Sequence, residues 1–156
     1  MKNVFELRKL TKAFYDDYPE STFPEIERKQ NRPYAVLLIK ISDRTFAIPF
    51  RSNIRHRYCY KFKTSDRSTD SSTGLDYSKA VVITKAKYLG NRININNKEY
   101  IELQKKCFFI RSKFEKYVKG YLKILSGKTN PFLERKYRFS TLKYFKTFLR
   151  KNASLL

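Results

Sequence analysis

Side chains that bind metals or form disulfides are scarce in this sequence. It contains two cysteines, Cys59 and Cys107, and one histidine, His56. A structural zinc site needs four nitrogen or sulfur ligands, and a disulfide framework needs at least four cysteines. The chain has only four glycines and no GxGxxG or GKS/T pattern, which excludes the common phosphate-binding loops. We expect neither a metal nor a cofactor.

Long apolar runs are also missing. The longest, residues 35–39, is far shorter than the roughly 18 residues that cross a bilayer. Charges interrupt the N-terminal stretch MKNVFELRKL, which is unlike a secretory signal. The 156 residues, 41% of them hydrophobic, suffice for one core. We therefore expect a single intracellular domain spanning residues 1–156.

Acidic residues are few, and the charge is strongly positive. Asp and Glu number 14 against 35 Lys and Arg, a net charge of +21. Residues 79–156 alone carry 20 basic and 4 acidic side chains. Nucleic acid is the simplest neutralising partner, because each phosphate contact releases a counterion.

Aromatic rings lie between basic residues in several segments, such as 57–61 and 135–138. This pattern suits RNA with unpaired bases, since rings stack on bases while Lys and Arg hold phosphates. For any single tyrosine, the favoured interpretation is a solvated basic face with the ring half in the core. The candidate RNA-binding residues are Lys40, Arg57, Tyr58, Tyr60, Lys85, Lys105, Lys106, Arg111, Lys113 and Lys116.

The order of apolar patterns predicts an α+β fold with a mostly antiparallel sheet, because strand patterns precede helical ones. Residues 34–50 are typical of a hairpin, in which Pro49 should end its strand or lie at an edge. Apolar residues at steps of three or four predict an amphipathic helix over 100–125 with a basic opposite face.

Weaker patterns predict further elements. Leu7, Leu10 and Phe14 have helical spacing, and a second C-terminal helix is expected from about Ser140. The other predicted elements are short strands at 58–62, 80–83 and 93–95 and a surface loop at 64–74.

The segment that follows Pro49 is the strongest candidate for a reactive site. It supplies a hydroxyl, an amide, two guanidiniums and the one imidazole, from Arg51, Ser52, Asn53, Arg55 and His56. These groups suit metal-free cleavage of RNA by its own 2′-hydroxyl, which needs a base, an acid and cations around the phosphorus. The guanidiniums can hold the phosphate, and the imidazole can serve as base or acid. The alternative is a basic turn capped by Ser and Asn, with an imidazole that only contacts phosphate.

Four segments of the chain carry a resemblance to a known family. They are RPYAVLLIKISDRTFAIPFRSNIRHRY (32–58), GLDYSKAVVI (74–83), FFIRSKFEKYV (108–118) and, more weakly, FSTLKYF (139–145). In order and spacing they resemble the RNA-cleaving toxins of type III toxin–antitoxin systems, the ToxN superfamily. The chain looks most similar to the CptN and TenpN branches.

This resemblance implies a fold and an activity. The fold would be a strongly twisted antiparallel sheet, similar to the MazF/Kid toxins, flanked by helices that include the long basic one. The activity would be metal-independent cleavage of cellular mRNA that leaves a 2′,3′-cyclic phosphate and a 5′-hydroxyl, in the bacterial cytoplasm.

The resemblance also implies a partner. The toxin would be inhibited by a small pseudoknot RNA, which it processes itself from a tandem-repeat transcript. Protein and RNA would alternate in a closed assembly with little direct contact between protein chains. The net charge of +21 fits such an RNA partner.

The site residues match the family only in part. The ToxN branch has a Thr-Ser pair, followed closely by Lys, after the same proline-ended strand. Here Ser52 matches the serine, Arg51 replaces the threonine, and Ile54 occupies the lysine position. Arg55 and His56 are the nearest substitutes for that lysine.

Two other functions are compatible with the composition. A noncatalytic RNA-binding protein would explain the charge, but it has no use for a particular Arg-Ser-Asn-Ile-Arg-His turn. A DNA-binding regulator would need a helix-turn-helix pair, and the patterns before Tyr100 predict none.

Overall fold

The computed structural model describes residues 5–28, 34–64 and 73–150, which form an α+β domain with a seven-stranded antiparallel sheet. The strands are β1 Glu6–Leu10, β2 Ala35–Ile41, β3 Arg44–Arg51, β4 Cys59–Lys61, β5 Gly74–Asp76, β6 Val81–Val82 and β7 Leu89–Arg92. The helices are α1 Lys12–Asp17, α2 Asn97–Leu125, α3 Pro131–Lys136 and α4 Lys146–Arg150, with 3-10 turns at Tyr77–Lys79, Ala86–Tyr88 and Thr141–Phe145. The predicted α+β class with a mostly antiparallel sheet is thereby confirmed.

The hairpin of β2 and β3 is the centre of the sheet, as predicted for residues 34–50. Val36 lies opposite Pro49, and Ile41 lies opposite Arg44. Ser42 turns the chain with a φ of 55°. The strand order is β4-β5-β3-β2-β1-β7, with β6 beside β3.

Pro49 does not lie at an edge, which corrects the prediction. On the side of β3 away from β2, Phe46 and Ala47 pair with β6, and Phe50 and Arg51 pair with β5. Pro49 falls between these two stretches, so neither ladder requires the N–H that proline lacks. The strand continues past it to Arg51.

The long helix α2 covers the sheet and confirms the helix predicted over 100–125. Asn96 caps it by accepting hydrogen bonds from the backbone N–H groups of Lys98 and Glu99 at 3.1 and 3.3 Å. Leu103, Ile110 and Phe114 on its apolar face are fully buried, whereas Cys107 and Leu125 are partly exposed. The ring centroids of Phe114 and Phe46 lie 5.2 Å apart. The helix ends at Leu125, Ser126 is its C-cap, and Gly127 follows with a φ of 90°.

The ends of the chain differ from the prediction. Leu7 and Leu10 lie in β1, because that strand pairs with both β2 and β7, and α1 begins only after its cap Thr11. The strand expected at 93–95 lies earlier, as β7. Near Ser140 a 3-10 turn precedes the short helix α4, and α3 was not predicted. Most of the predicted loop, residues 65–72, lies outside the described residues.

None of the helices in the described ranges combines the length and apolar character needed to cross a membrane.

Candidate active site

A buried carboxylate, that of Asp76 at the end of β5, organises the site. Its side chain is fully shielded from solvent. It accepts hydrogen bonds from the guanidinium of Arg51, from His56 Nε2 at 3.2 Å, and from the backbone N–H and Oγ–H of Ser78 at 3.0 and 2.6 Å. Two of these donors come from the segment 51–56, so Asp76 ties both ends of that segment to β5.

The bonds to Asp76 also determine its ionisation. Burial raises the pKa of the carboxyl, but the hydrogen bonds from His56, Ser78 and Arg51 outweigh it and hold the pKa below its ordinary value of 3.8. Asp76 is therefore a fixed negative charge under the loop at neutral pH.

The loop after β3 is anchored at three points and exposed between them. Arg51 contacts Glu27 at 3.4 Å in addition to Asp76, and Ile54 is only 2% exposed. Ser52, Asn53 and Arg55 are exposed, and their side chains make no hydrogen bond or ion pair with the rest of the described chain. Asn53 has a φ of 57°, a left-handed conformation that asparagine tolerates better than most residues.

His56 is held at both ring nitrogens. Its Nδ1 accepts the backbone N–H of Tyr58 at 3.0 Å, so the ring proton is assigned to Nε2, which faces Asp76. Ser78 Oγ lies 3.4 Å from the same Nε2. A Ser-His-Asp relay places the carboxylate and the hydroxyl on opposite ring nitrogens, so this group is not one.

A lysine surrounded by tyrosine rings lies beside Tyr58, whose own ring stacks on His56. The ring of Tyr58 stacks on that of His56, with centroids 5.8 Å apart. Lys136 Nζ lies 5.5, 5.8 and 5.3 Å from the ring centroids of Tyr58, Tyr117 and Tyr137. These distances are in the range of cation–π contacts, which hold the ammonium among the three rings.

Lys136 is also electrostatically perturbed. Partial burial lowers its pKa, and the nearby Arg57 lowers it further. A lysine in such surroundings gives up its proton more readily than an ordinary surface lysine.

The predicted RNA-binding residues fall into separate groups. Arg57 and Tyr58 belong to the site just described. Lys40 and Arg111 line a groove between α2 and the sheet, whereas Lys85 lies elsewhere, 4.0 Å from Asp17. The remaining lysines are exposed along α2: Lys105, Lys106, Lys113 and Lys116.

The structure corrects the prediction that Tyr60 binds RNA. It is 8% exposed, and its hydroxyl donates to Glu102, which also binds the backbone N–H groups of Lys63 and Thr64. The ring therefore belongs to the core and has no free face for a base.

The sequence analysis missed three residues of the site. Asp76 and Ser78 lie in the segment 74–83, where a carboxylate among apolar residues does indicate a buried, paired charge. Lys136 carried no comparable indication, because it is one of many lysines and lies 80 positions from His56 in the chain.

Comparisons of the chain with protein-family models, with curated proteins and with solved structures find no match. Among the described residues, no group of three or more His, Cys, Asp and Glu side chains is placed to hold a metal ion.

Replacing Asp76 tests whether it organises the site. Asp76→Asn should lower the free energy of unfolding by about 3–5 kcal/mol, because it leaves buried charge without its partner. The Asp76 pKa is lowered on folding, so its stabilisation is full above pH 3.8 and is lost as the pH falls through the folded-state value. The difference in free energy of unfolding between the wild type and Asp76→Asn should therefore become smaller at acid pH, as measured by urea unfolding over a pH series.

The matched control is Asp16→Asn, since the one ion pair of Asp16 within the described ranges is the exposed pair with Lys12. That change should cost at most about 0.5 kcal/mol. An Asp76 variant as stable as the control at neutral pH would show that the carboxylate does not hold the loop.

Proposed function

We propose that the protein is a metal-independent endoribonuclease that uses the 2′-hydroxyl of RNA as the nucleophile. The observation that carries this is the geometry of the loop after β3. The loop exposes Ser52, Asn53 and Arg55 to solvent, and hydrogen bonds from Arg51 and His56 to Asp76 fix its two ends. Hydrogen-bond donors without partners on an anchored loop are suited to stabilising charge that develops on a phosphate.

The reaction needs no nucleophile from the protein. The 2′-oxygen forms a bond to phosphorus and loses its proton, while the bond from phosphorus to the 5′-oxygen breaks and that oxygen gains a proton. The products are a 2′,3′-cyclic phosphate and a 5′-hydroxyl. Arg55 would hold the phosphate, and Ser52 and Asn53 would donate to its nonbridging oxygens.

Two groups that contact Tyr58 can move the protons. Lys136 is a cation of lowered pKa, and we assign it to protonate the leaving 5′-oxygen. His56 is the candidate base for the 2′-hydroxyl: its Nδ1 would have to release the backbone N–H of Tyr58 and take the 2′-proton, while its Nε2–H stays on Asp76. Arg51, placed among the catalytic residues by the sequence, instead supports the loop through its two carboxylate partners.

The family resemblance extends this proposal to a regulated toxin. It would be a ToxN-type enzyme with a MazF/Kid-like twisted sheet, acting on cellular mRNA. A pseudoknot RNA processed from a repeat transcript would inhibit it within a closed protein–RNA assembly. The net charge of +21 and the exposed lysines of α2 support an RNA partner.

A noncatalytic RNA-binding protein is the second candidate. The observation that favours it is that both ring nitrogens of His56 are engaged within the protein. This alternative predicts RNA binding without cleavage at any pH.

The loop can be tested without disturbing the fold. Ser52→Ala removes an exposed hydroxyl, and Asn53→Gly removes the amide while keeping a residue that accepts the left-handed φ. Each should slow RNA cleavage about 10²- to 10³-fold with little change in RNA affinity, and EDTA should not affect the wild-type rate. Thr129→Ala is the control for an exposed hydroxyl elsewhere. Wild-type rates in both loop variants would contradict the proposed site.

Lys136→Arg tests the assigned acid. Arginine keeps the positive charge but does not release its proton, so cleavage should fall about 10²- to 10⁴-fold while RNA affinity is retained. Lys128→Arg, at an exposed position, is the matched control. Retained cleavage in Lys136→Arg would mean that the ammonium contributes charge only.

The regulatory part is tested by co-expressing the chain with its own upstream DNA and extracting RNA from the purified protein. One short RNA of fixed length with 2′,3′-cyclic ends is the expected result. Heterogeneous RNA, with healthy cells when the upstream DNA is omitted, would contradict the toxin–antitoxin assignment.

A further inference from the structure

A large groove lies at the far end of β3 from the candidate active site. It has a volume of about 1150 Å³ and lies between α2 and strands β1, β2 and β7. Thr45 lines it, six residues before Arg51 in the same strand. At roughly 3.3 Å per residue Thr45 lies about 20 Å from Arg51 along the strand. None of the described residues that line the groove belongs to the cluster around Asp76, so the two are separate sites.

The groove is positively charged. Lys40 and Arg111 line it and make no ion pair or hydrogen bond with any other described residue. Glu6 is the one acid among the described residues that line the groove. Arg92, with a side chain 81% exposed, shares it with Arg8. The lining therefore carries uncompensated cations, which favour an anionic occupant.

Aromatic rings stand beside these cations. Phe5 and Tyr100 both line the groove, with ring centroids 6.3 Å apart and an interplanar angle of 62°. Tyr100, Gln104 and Phe108 follow at steps of four, which places them along one face of α2. Phe108 is 80% exposed, so a large apolar ring faces solvent about two helical turns beyond Tyr100.

This combination points to a class of ligand. Rings stack on the faces of bases only where those bases are unpaired, whereas a duplex offers mainly phosphates. The volume also exceeds the roughly 300–1,000 Å³ of pockets that enclose small molecules. An extended single strand fits both observations.

We propose that this groove binds an unpaired segment of RNA at a second site, separate from the cleavage centre. Lys40 and Arg111 contact its phosphates, and Tyr100 stacks on a base. The choice of RNA rests on the proposed function, since rings and cations alone would also accept single-stranded DNA. RNA that occupies both sites must span the distance between them, so a longer unpaired strand binds more tightly than a short one.

Binding can be measured independently of cleavage. A short fluorescent 2′-O-methyl oligouridine lacks the attacking hydroxyl, so fluorescence anisotropy reports its affinity even if the protein is an active nuclease. The double variant Lys40→Ala/Arg111→Ala should reduce the steepness of log K against log salt by about 1.4, since each phosphate contact contributes about 0.7 for a single strand. Tyr100→Leu should weaken binding about tenfold with an unchanged salt slope.

The control is Lys128→Ala/Lys146→Ala, which removes two exposed charges outside the groove lining. The proposal predicts a wild-type slope for this control. An equal loss of slope in both double variants would overturn it, as would tighter binding of the same strand in duplex form. Cleavage of ordinary RNA is a separate readout, so absent cleavage with groove-dependent binding would refute the nuclease and leave this second site standing.

Discussion

The geometry of the candidate site depends on one buried charge, the carboxylate of Asp76. A buried carboxylate is tolerated only when its hydrogen bonds are satisfied, and here Arg51, His56 and Ser78 satisfy them. Those donors fix the end of β3, the end of the following loop and the 3-10 turn after β5. The hydroxyl of Thr141 in turn donates to the backbone carbonyl of Ser78 at 3.3 Å, which joins the C-terminal elements to the same cluster.

The rest of the molecule places two concentrations of positive charge and aromatic rings at opposite ends of the central hairpin. One contains the loop and Lys136, and the other is the groove lined by Lys40 and Arg111. Helix α2 reaches both, since Tyr100 lines the groove and Tyr117 contacts Tyr58 at 6.1 Å. At about 1.5 Å per residue these tyrosines are about 25 Å apart along the helix, so a single rigid element sets the spacing of the two sites.

The sequence predicted those parts of the fold that depend on local pattern. The central hairpin and α2 follow from apolar runs and helical spacing that tertiary contacts do not override. Pro49 was misplaced because its position depends on two short partner strands distant in the chain. Tyr60 looked like a ring between cations, yet its partner Glu102 lies 42 positions away. The composition of the segment after Pro49 indicated a candidate site, whereas nothing in the sequence distinguished Lys136, since only the folded chain brings it to Tyr58.

The central claim is that this loop cleaves RNA through the RNA's own 2′-hydroxyl. The most direct measurement compares an RNA containing one cleavage site with the same RNA carrying a single 2′-deoxy nucleotide on the 5′ side of that site, in the presence of EDTA. The account predicts a 2′,3′-cyclic phosphate and a 5′-hydroxyl from the first RNA, and an intact second RNA. Cleavage of the deoxy-substituted RNA at the same position, or a 5′-phosphate product, would contradict it.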